Sequence, residues 1–325
     1  MAADEIPRRP LGKTGAQVSV LGLGGHHLGQ ANSLEEADRI VSGALDAGIT
    51  FFDNCWEYNN GKSELWMGHA LTGKRDKAFL MTKVCTHGRD ADLALHMLEE
   101  SLRRLRTDHL DLWQIHGIAF DNDPERAFKK GGVIEALDKA KQQGKVRFVG
   151  FTGHRDPSIH LKMLSYGYAF DTVQMPLNCF DANFRSFEKA VLPELVSRGI
   201  ACLGMKPLTG KGAPIKANLV SPEEMLRYAM SLPGVAVTIT GMESVERLNQ
   251  NIAVARGFKP LDAAALQAIR KKCAEPAADG RFELYKVSLK YDNPEARRAH
   301  DFPVDAQQME VKQALDYATG KSTSK

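Results

Sequence analysis

The stretch Phe51-Phe52-Asp53-Asn54-Cys55-Trp56-Glu57-Tyr58 stops being apolar at a carboxylate and reaches a tyrosine five residues later. Read forward from Ala47-Gly48-Ile49-Thr50, it is a buried strand that ends at Asp53 and opens into a loop carrying Tyr58. Two later segments end in the same way: Leu80-Met81-Thr82-Lys83 closes on a lysine, and Leu110-Asp111-Leu112-Trp113-Gln114-Ile115-His116 closes on a histidine. Barrel enzymes keep their chemistry where strand ends run into loops, so Asp53, Tyr58, Lys83 and His116 are expected to converge.

Working outward, a first barrel strand is expected at Val18 to Leu23, and others at Ile49 to Asp53, Ala78 to Lys83, Leu110 to Ile115, Val146 to Phe151, Asp171 to Met175, Ile200 to Met205 and Val235 to Ile239. Between them lie helical patterns. Ser33-Leu34-Glu35-Glu36 offers an N-cap with an acid three residues on, and Ala37, Ile40, Val41 and Ala44 then keep a helix period. Further helices are expected over Asp92 to Leu105, Val133 to Gln143, Ser186 to Ser197, and onward from Ser221-Pro222. Strand and helix alternate at a recurrence of roughly 25 to 36 residues, which argues for a closed (β/α)8 TIM barrel over an open sheet. No G-x-G-x-x-G joins a strand to a helix, so a Rossmann domain is disfavoured.

A chain of 325 residues accommodates one such barrel of ~250 residues with extensions. Its 43 basic and 40 acidic residues leave a net charge of +3 without a basic block, which argues against nucleic acid as a partner. Nothing approaches 18 consecutive apolar residues, and Arg8-Arg9 runs into Pro10 instead of an apolar segment, so neither a membrane span nor a secretion signal is expected. The five cysteines, Cys55, Cys85, Cys179, Cys202 and Cys273, are far apart, with no C-x-x-C and no closely spaced histidine. Reduced thiols in a cytoplasmic protein, with neither a disulfide framework nor a zinc site, are the expectation.

The quartet Asp53, Tyr58, Lys83 and His116 resembles the catalytic tetrad of the aldo-keto reductase superfamily. Arg9-Pro10-Leu11-Gly12-Lys13-Thr14-Gly15 and Leu21-Gly22-Leu23-Gly24 are similar to that family's N-terminal β-hairpin and first strand, and Leu110-Asp111-Leu112, Val173-Gln174, Pro207-Leu208, Arg247 and Asn251 continue the likeness. The resemblance implies a barrel domain over residues 1–258 and a C-terminal extension over residues 259–325. In the extension a helix is expected over Leu261 to Cys273 and a final amphipathic one over Val304 to Ala318. Two readings of this tail stand side by side: a lid on the substrate pocket, or a packing or oligomer segment. The oligomeric state stays open.

Carbonyl reduction needs a hydride donor and a proton donor, and the resemblance implies a nicotinamide for the first and Tyr58 for the second. Lys83 beside it is expected to draw the phenol's pKa down, Asp53 to hold Lys83, and His116 to hydrogen-bond the carbonyl oxygen. By the same resemblance Gln174 contacts the nicotinamide carboxamide. The family's Ser-Asn is here Thr152-Gly153, with His154 next in line as a contact, and Met205 stands where an aromatic usually stacks. Pro207-Leu208-Thr209-Gly210-Lys211-Gly212 corresponds to the segment crossing the pyrophosphate, with contacts expected from Pro207, Leu208, Gly210 and Lys211. Arg247, Gln250 and Asn251 correspond to the adenosine end. A guanidinium at the 2′-phosphate favours NADP, whereas Glu243 nearby favours NAD.

The expected function is therefore NADPH-dependent reduction of an aldehyde or ketone, with a small-molecule carbonyl or sugar-like substrate. An NAD-linked sugar or polyol dehydrogenase and a nucleotide-binding regulatory subunit of the potassium-channel beta type are the alternatives. His26-His27 with Asp53, His116 and His154 also imitate a metal site, but that reading leaves the Lys-Tyr pair idle, and no metal is expected. Trp56, Phe120 and the tail aromatics either line the pocket or pack beneath the loops.

Overall fold

The computed structural model describes residues 5–210, 212–288, 291–292 and 294–300. Strands β1 (Arg8–Pro10) and β2 (Gln17–Ser19) pair antiparallel as a hairpin. Eight parallel strands then close into a barrel: β3 (Leu21–Gly24), β4 (Phe51–Asp53), β5 (Phe79–Val84), β6 (Leu110–Ile115), β7 (Val146–Thr152), β8 (Thr172–Pro176), β9 (Ala201–Met205) and β10 (Val235–Gly241), with β10 returning to pair with β3. The helices between consecutive strands cover the outside of the barrel, and the large apolar core lies between the two layers.

Side chains alternate along each strand, and that alternation builds the site. Phe51 and Asp53 of β4 point inward, as do Phe79, Met81 and Lys83 of β5 and Leu112 and Gln114 of β6, while Phe52, Leu80, Val84 and Trp113 pack outward beneath the helices. The bottom of the barrel is thus apolar, filled by Phe51, Phe79, Met81, Leu112, Leu203 and Val237, and plugged from below by Leu11 and Val18 of the hairpin. Polar groups collect one layer higher, at the C-terminal ends of the strands.

The hairpin is tied to the barrel floor. Arg9 donates to the Val235 carbonyl at 2.6 Å and the Met230 carbonyl at 2.8 Å. Gly12 has φ +53°, and a Cβ there would lie 2.7 Å from the Gly199 carbonyl oxygen, so its backbone sits where no side chain fits.

Two of the expected elements are each divided in two, and the helix expected over Leu261 to Cys273 runs instead over Ala263–Ala277. The run Val18 to Leu23 is two strands: Ser19 ends the hairpin, its hydroxyl donates to the Leu21 carbonyl at 2.6 Å and accepts from Thr50 N at 2.9 Å, and the barrel strand starts beyond that corner. An unbroken apolar run does not record where its pairing partner changes. The helix expected over Ser186 to Ser197 is likewise split into Phe187–Ala190 and Leu192–Arg198, because Pro193 has no N–H to continue the first helix.

Ser33 caps its helix as read, and Ser221 and Asp262, which were not read as caps, do the same. Ser33 accepts from Glu36 N, Ser221 from Glu224 N and Asp262 from Ala265 N, starting the helices Leu34–Asp46, Pro222–Ser231 and Ala263–Ala277. The helix expected over Val304 to Ala318 lies outside the described residues.

Candidate active site

Asp53 ends β4, Lys83 is the penultimate residue of β5, and His116 is the first residue beyond β6. Because β4, β5 and β6 are neighbours, these side chains meet at the mouth of the barrel. Lys83 Nζ lies 2.5 Å from Asp53 Oδ1, 2.6 Å from the Asn54 carbonyl and 3.3 Å from Tyr58 Oη. An ammonium has three protons, and here each has an acceptor. Lys83 and Asp53 are 1% and 5% exposed, so their charges depend on these contacts and not on water.

Tyr58 is held by the loop after β4. Trp56 N donates to the Lys83 carbonyl and Asn54 Nδ2 to the Ser63 carbonyl, both at 3.1 Å. Arg104 donates to the Trp56 carbonyl at 3.0 Å and stacks 5.1 Å from its ring, while Trp56 Nε1 donates to Glu100 at 2.7 Å. Asn59, Asn60 and Gly61 are all left-handed, which turns the chain back into the helix Lys62–Ala70. The Tyr58 ring meets those of His26 and His116 edge-on, at 5.2 and 5.9 Å.

The electrostatics differ from the expectation at Tyr58. Burial, followed by the charge of Asp53, pushes the phenol well above its ordinary value, because the Lys83 ammonium is already paired with the carboxylate. The phenol is therefore held as a proton store. His116 behaves differently from its neighbours. Burial works against its charged form, yet the Cys55 thiol and Glu57 outweigh that and raise it to about 9. Burial lowers the surrounding His26, His27 and His154.

Of the residues expected at a cofactor, Gln174 lies beside the tetrad and donates to Asp53 Oδ1 at 3.3 Å. Its own Oε1 is buried and has no partner among the described residues. An orphaned amide oxygen there suits an amide donor such as a carboxamide. Thr152 is buried, with Oγ1 3.9 Å from Met205 Sδ, which puts those two predicted residues together. A side chain at Gly153 would strike the Ile118 carbonyl oxygen at 2.2 Å, so the loss of the family's asparagine is enforced by packing. His154 is 3.3 Å from the Tyr285 carbonyl through Nδ1 and so faces the C-terminal extension.

Along the next loop Pro207 is buried, Leu208 half-buried and Gly210 exposed with φ +87°. Thr209 between them is buried, left-handed, and has a hydroxyl with no partner among the described residues. Lys211 lies outside the described residues. Arg247, Gln250 and Asn251 share the helix Val245–Ala255 after β10, away from the tetrad. Arg247 is half-exposed, 2.8 Å from Gln250 Oε1 and 3.7 Å from Glu243, and Asn251 donates to the Gly241 carbonyl at 3.1 Å.

Sequence reasoning missed Lys206, Glu57, Cys55 and Cys85. Lys206 is the first residue after β9, a position equivalent to His116 after β6. Burial, then Lys83, pushes its amine down to about 8, and it lies 5.3 Å over the Tyr285 ring. Tyr285 belongs to a buried network, accepting from Asn178 at 3.0 Å and donating to Glu283 at 2.6 Å, while Lys286 pairs with Asp181 at 2.6 Å and Glu283 at 2.9 Å. Farther on, Arg155 pairs with Asp292, and His300 stacks on Phe120 at 4.6 Å. Residues 283–288, 291–292 and 294–300 therefore run against the loops after β6, β7, β8 and β9.

Comparison with known proteins places the chain in a family. The family model described as the aldo/keto reductase family matches residues 20–218, which include the whole tetrad. The chain belongs to the aldo/keto reductase family. Among its relatives, the L-galactose dehydrogenase of Arabidopsis thaliana is 28% identical over 79% of this chain and 90% of its own length. A putative aldo-keto reductase from Pseudomonas aeruginosa, 27% identical, superposes with a TM-score of 0.65 over 79% of this chain and 98% of its own. An aldo/keto reductase from Klebsiella pneumoniae, solved in complex with NADP and acetate, shares the fold with a TM-score of 0.67 at 22% identity, over 81% of this chain and 94% of its own. Membership makes the chain an oxidoreductase. Among the described residues, no helix is long and apolar enough to cross a membrane.

Proposed function

We propose that the protein reduces an aldehyde or ketone to an alcohol with NADPH, Tyr58 acting as the general acid. The observation that carries the reading is the Lys83 ammonium, satisfied by Asp53, the Asn54 carbonyl and Tyr58 Oη, with His116 edge-on to the same phenol. When bound, the nicotinamide supplies hydride to the carbonyl carbon. The chain's own task is at the oxygen. His116, charged below about pH 9, donates to the carbonyl oxygen and polarises it. Tyr58 then gives its proton to the oxygen as negative charge develops there. Lys83, fixed by Asp53, stabilises the phenolate left behind.

Gln174 Oε1 and the Thr209 hydroxyl, both orphaned and buried, support contacts to a carboxamide and to phosphate, with Thr152, His154 and Met205 beside the ring and Pro207, Leu208, Gly210 and Lys211 along the pyrophosphate. Arg247, Gln250 and Asn251 are assigned to the adenosine end, and the NADP of the Klebsiella pneumoniae relative is in keeping with this. In our reading the extension over residues 259–325 shapes the substrate pocket, for Tyr285 already touches His154 and Lys206. The substrate is a small carbonyl or sugar-like molecule, a class that includes the galactose named for the plant relative.

One observation favours a second reading, an NAD-linked sugar dehydrogenase: Glu243 lies 3.7 Å from Arg247 and competes with a 2′-phosphate for it. Titration of the protein with NADPH and NADH, repeated with Arg247→Ala, separates the two. Preference for NADPH that vanishes with the arginine is the expected result. Preference for NADH would transfer the protein to the dehydrogenase reading, and failure to bind either would overturn both.

A further inference from the structure

Three side chains crowd one atom beside the tetrad. His116 Nδ1 lies 3.0 Å from Cys85 Sγ, 3.4 Å from Cys55 Sγ and 3.1 Å from Glu57 Oε1, and the two sulfurs are 3.2 Å apart. All four atoms fall within 4.8 Å of one another. A ring nitrogen offers one proton or one lone pair and so makes one good hydrogen bond, not three. Thiols are weak hydrogen-bonding groups, so sulfur alone does not account for the convergence.

The barrel register explains how distant cysteines arrive here. Val84 is paired with Ile115, so the next residues, Cys85 and His116, emerge side by side from β5 and β6. Cys55 stands two residues beyond Asp53 as Cys85 stands two beyond Lys83, and Trp56 N bonds the Lys83 carbonyl, drawing Cys55 onto β5. Glu57 follows on the same loop. Both cysteines are buried and reduced, while Glu57 and His116 are 33% and 20% exposed, leaving the cluster open from one side.

We propose that Cys55, Cys85, His116 and Glu57 bind one divalent cation of the zinc class. Two thiolates, an imidazole and a carboxylate are a tetrahedral, borderline-soft donor set that suits zinc over magnesium or calcium. Tetrahedral zinc with these donors spaces its ligand atoms ~3.3–3.8 Å apart, within a few tenths of an ångström of the four separations of 3.0–3.4 Å around His116 and between the sulfurs. Loading displaces the protons held by the two thiols and by His116 Nδ1, with no change of oxidation state. Four protein ligands leave no open position for water, so the cation is structural. It takes His116 through Nδ1 in place of that nitrogen's proton and leaves the Nε2 proton as the ring's donor, so in the loaded protein the cation replaces the ring's own positive charge and positions that histidine. The site itself does not rest on the reductase reading.

The test uses the full chain under reducing conditions, with cobalt(II) as probe and zinc as competitor. One equivalent of cobalt is expected, with a thiolate-to-metal charge-transfer band that zinc abolishes. Cys55→Ser and Cys85→Ser should each weaken the band and zinc binding, the latter ~100-fold or more, and Glu57→Gln should keep the band with affinity down ~10-fold. A second measurement needs no variant: zinc should protect two of the five thiols from alkylation, and peptide mapping should identify them as Cys55 and Cys85. Absence of the band in reduced protein, its persistence in the Cys55→Ser Cys85→Ser double variant, or protection mapping to Cys179 and Cys273 would each overturn the proposal.

Discussion

Removing the Asp53 carboxylate while keeping its shape, by Asp53→Asn, leaves the Lys83 ammonium with only the Asn54 carbonyl and the Tyr58 hydroxyl in a site where it is 1% exposed. At 2.5 Å and an effective dielectric of ~20, the lost attraction is of the order of 6 kcal/mol. The pair's own burial already offsets part of that, and breaking buried pairs by removing one partner costs about 3–5 kcal/mol. Asp53→Asn and Lys83→Met should therefore each lower the unfolding free energy by about that amount. The double variant leaves no unpaired charge, so it should fall within ~2 kcal/mol of the parent, far less than the sum of the single losses. Urea unfolding followed by circular dichroism measures all four proteins, with the denaturant slope checked for constancy. Single losses below ~1 kcal/mol, or losses that simply add, would refute the claim that this ion pair is isolated from water and mutually dependent.

Other consequences can be checked on the same footing. Burial pushes the His160 imidazole, which lies between Phe151 and Phe187, down to about 4. The unfolded ring takes up its proton near pH 6.5 and the folded ring does not, so this contribution is complete above pH 6.5 and is lost as pH falls toward 4, by up to about 3 kcal/mol. His160→Met should flatten the acid limb of a stability–pH profile, and an unchanged slope would remove His160 from the account. Gly12→Ala should cost about 3 kcal/mol through its clash with Gly199 and Ala201, whereas Gly15→Ala, with φ +79° and open space around it, should cost about 1 kcal/mol; equal losses by thermal melting would contradict the packing of the hairpin plug. Gly153→Asn restores the family's residue type, but it should destabilise the fold without tightening NADPH binding, and a tighter complex measured by calorimetry would show that the Ile118 contact yields.

The barrel and its tetrad were legible because both follow from period-two alternation. Phe51 and Asp53 share one face of a strand, as do Phe79, Met81 and Lys83, so an apolar run that ends in charge announces both the barrel's interior and its mouth. The cap at Ser33 was legible for the equally local reason that one side chain reaches one backbone amide. What escaped depends on pairing between strands. The corner at Ser19, the meeting of Cys55 with Cys85 and His116, and the place of Lys206 opposite Tyr285 are set by register and by loops from other elements, which spacing along one chain does not express. Cysteine spacing read linearly did not show that Cys55 and Cys85 each lie two residues past a tetrad residue, the regularity that brings the two thiols together. The direction of the Tyr58 shift was misread because the sequence displays Lys83 but not how fully Asp53 engages it.

The central claim is that Tyr58 protonates the oxygen of a carbonyl reduced by NADPH. Its most direct test compares the parent and Tyr58→Phe in a single-turnover experiment that follows NADPH oxidation against a small panel of aldehydes and ketones, with NADPH affinity measured in parallel. The account predicts that the variant binds NADPH with parent-like affinity while its hydride-transfer rate falls by roughly 10²–10⁴-fold. A variant that oxidises NADPH at the parent's rate would contradict it.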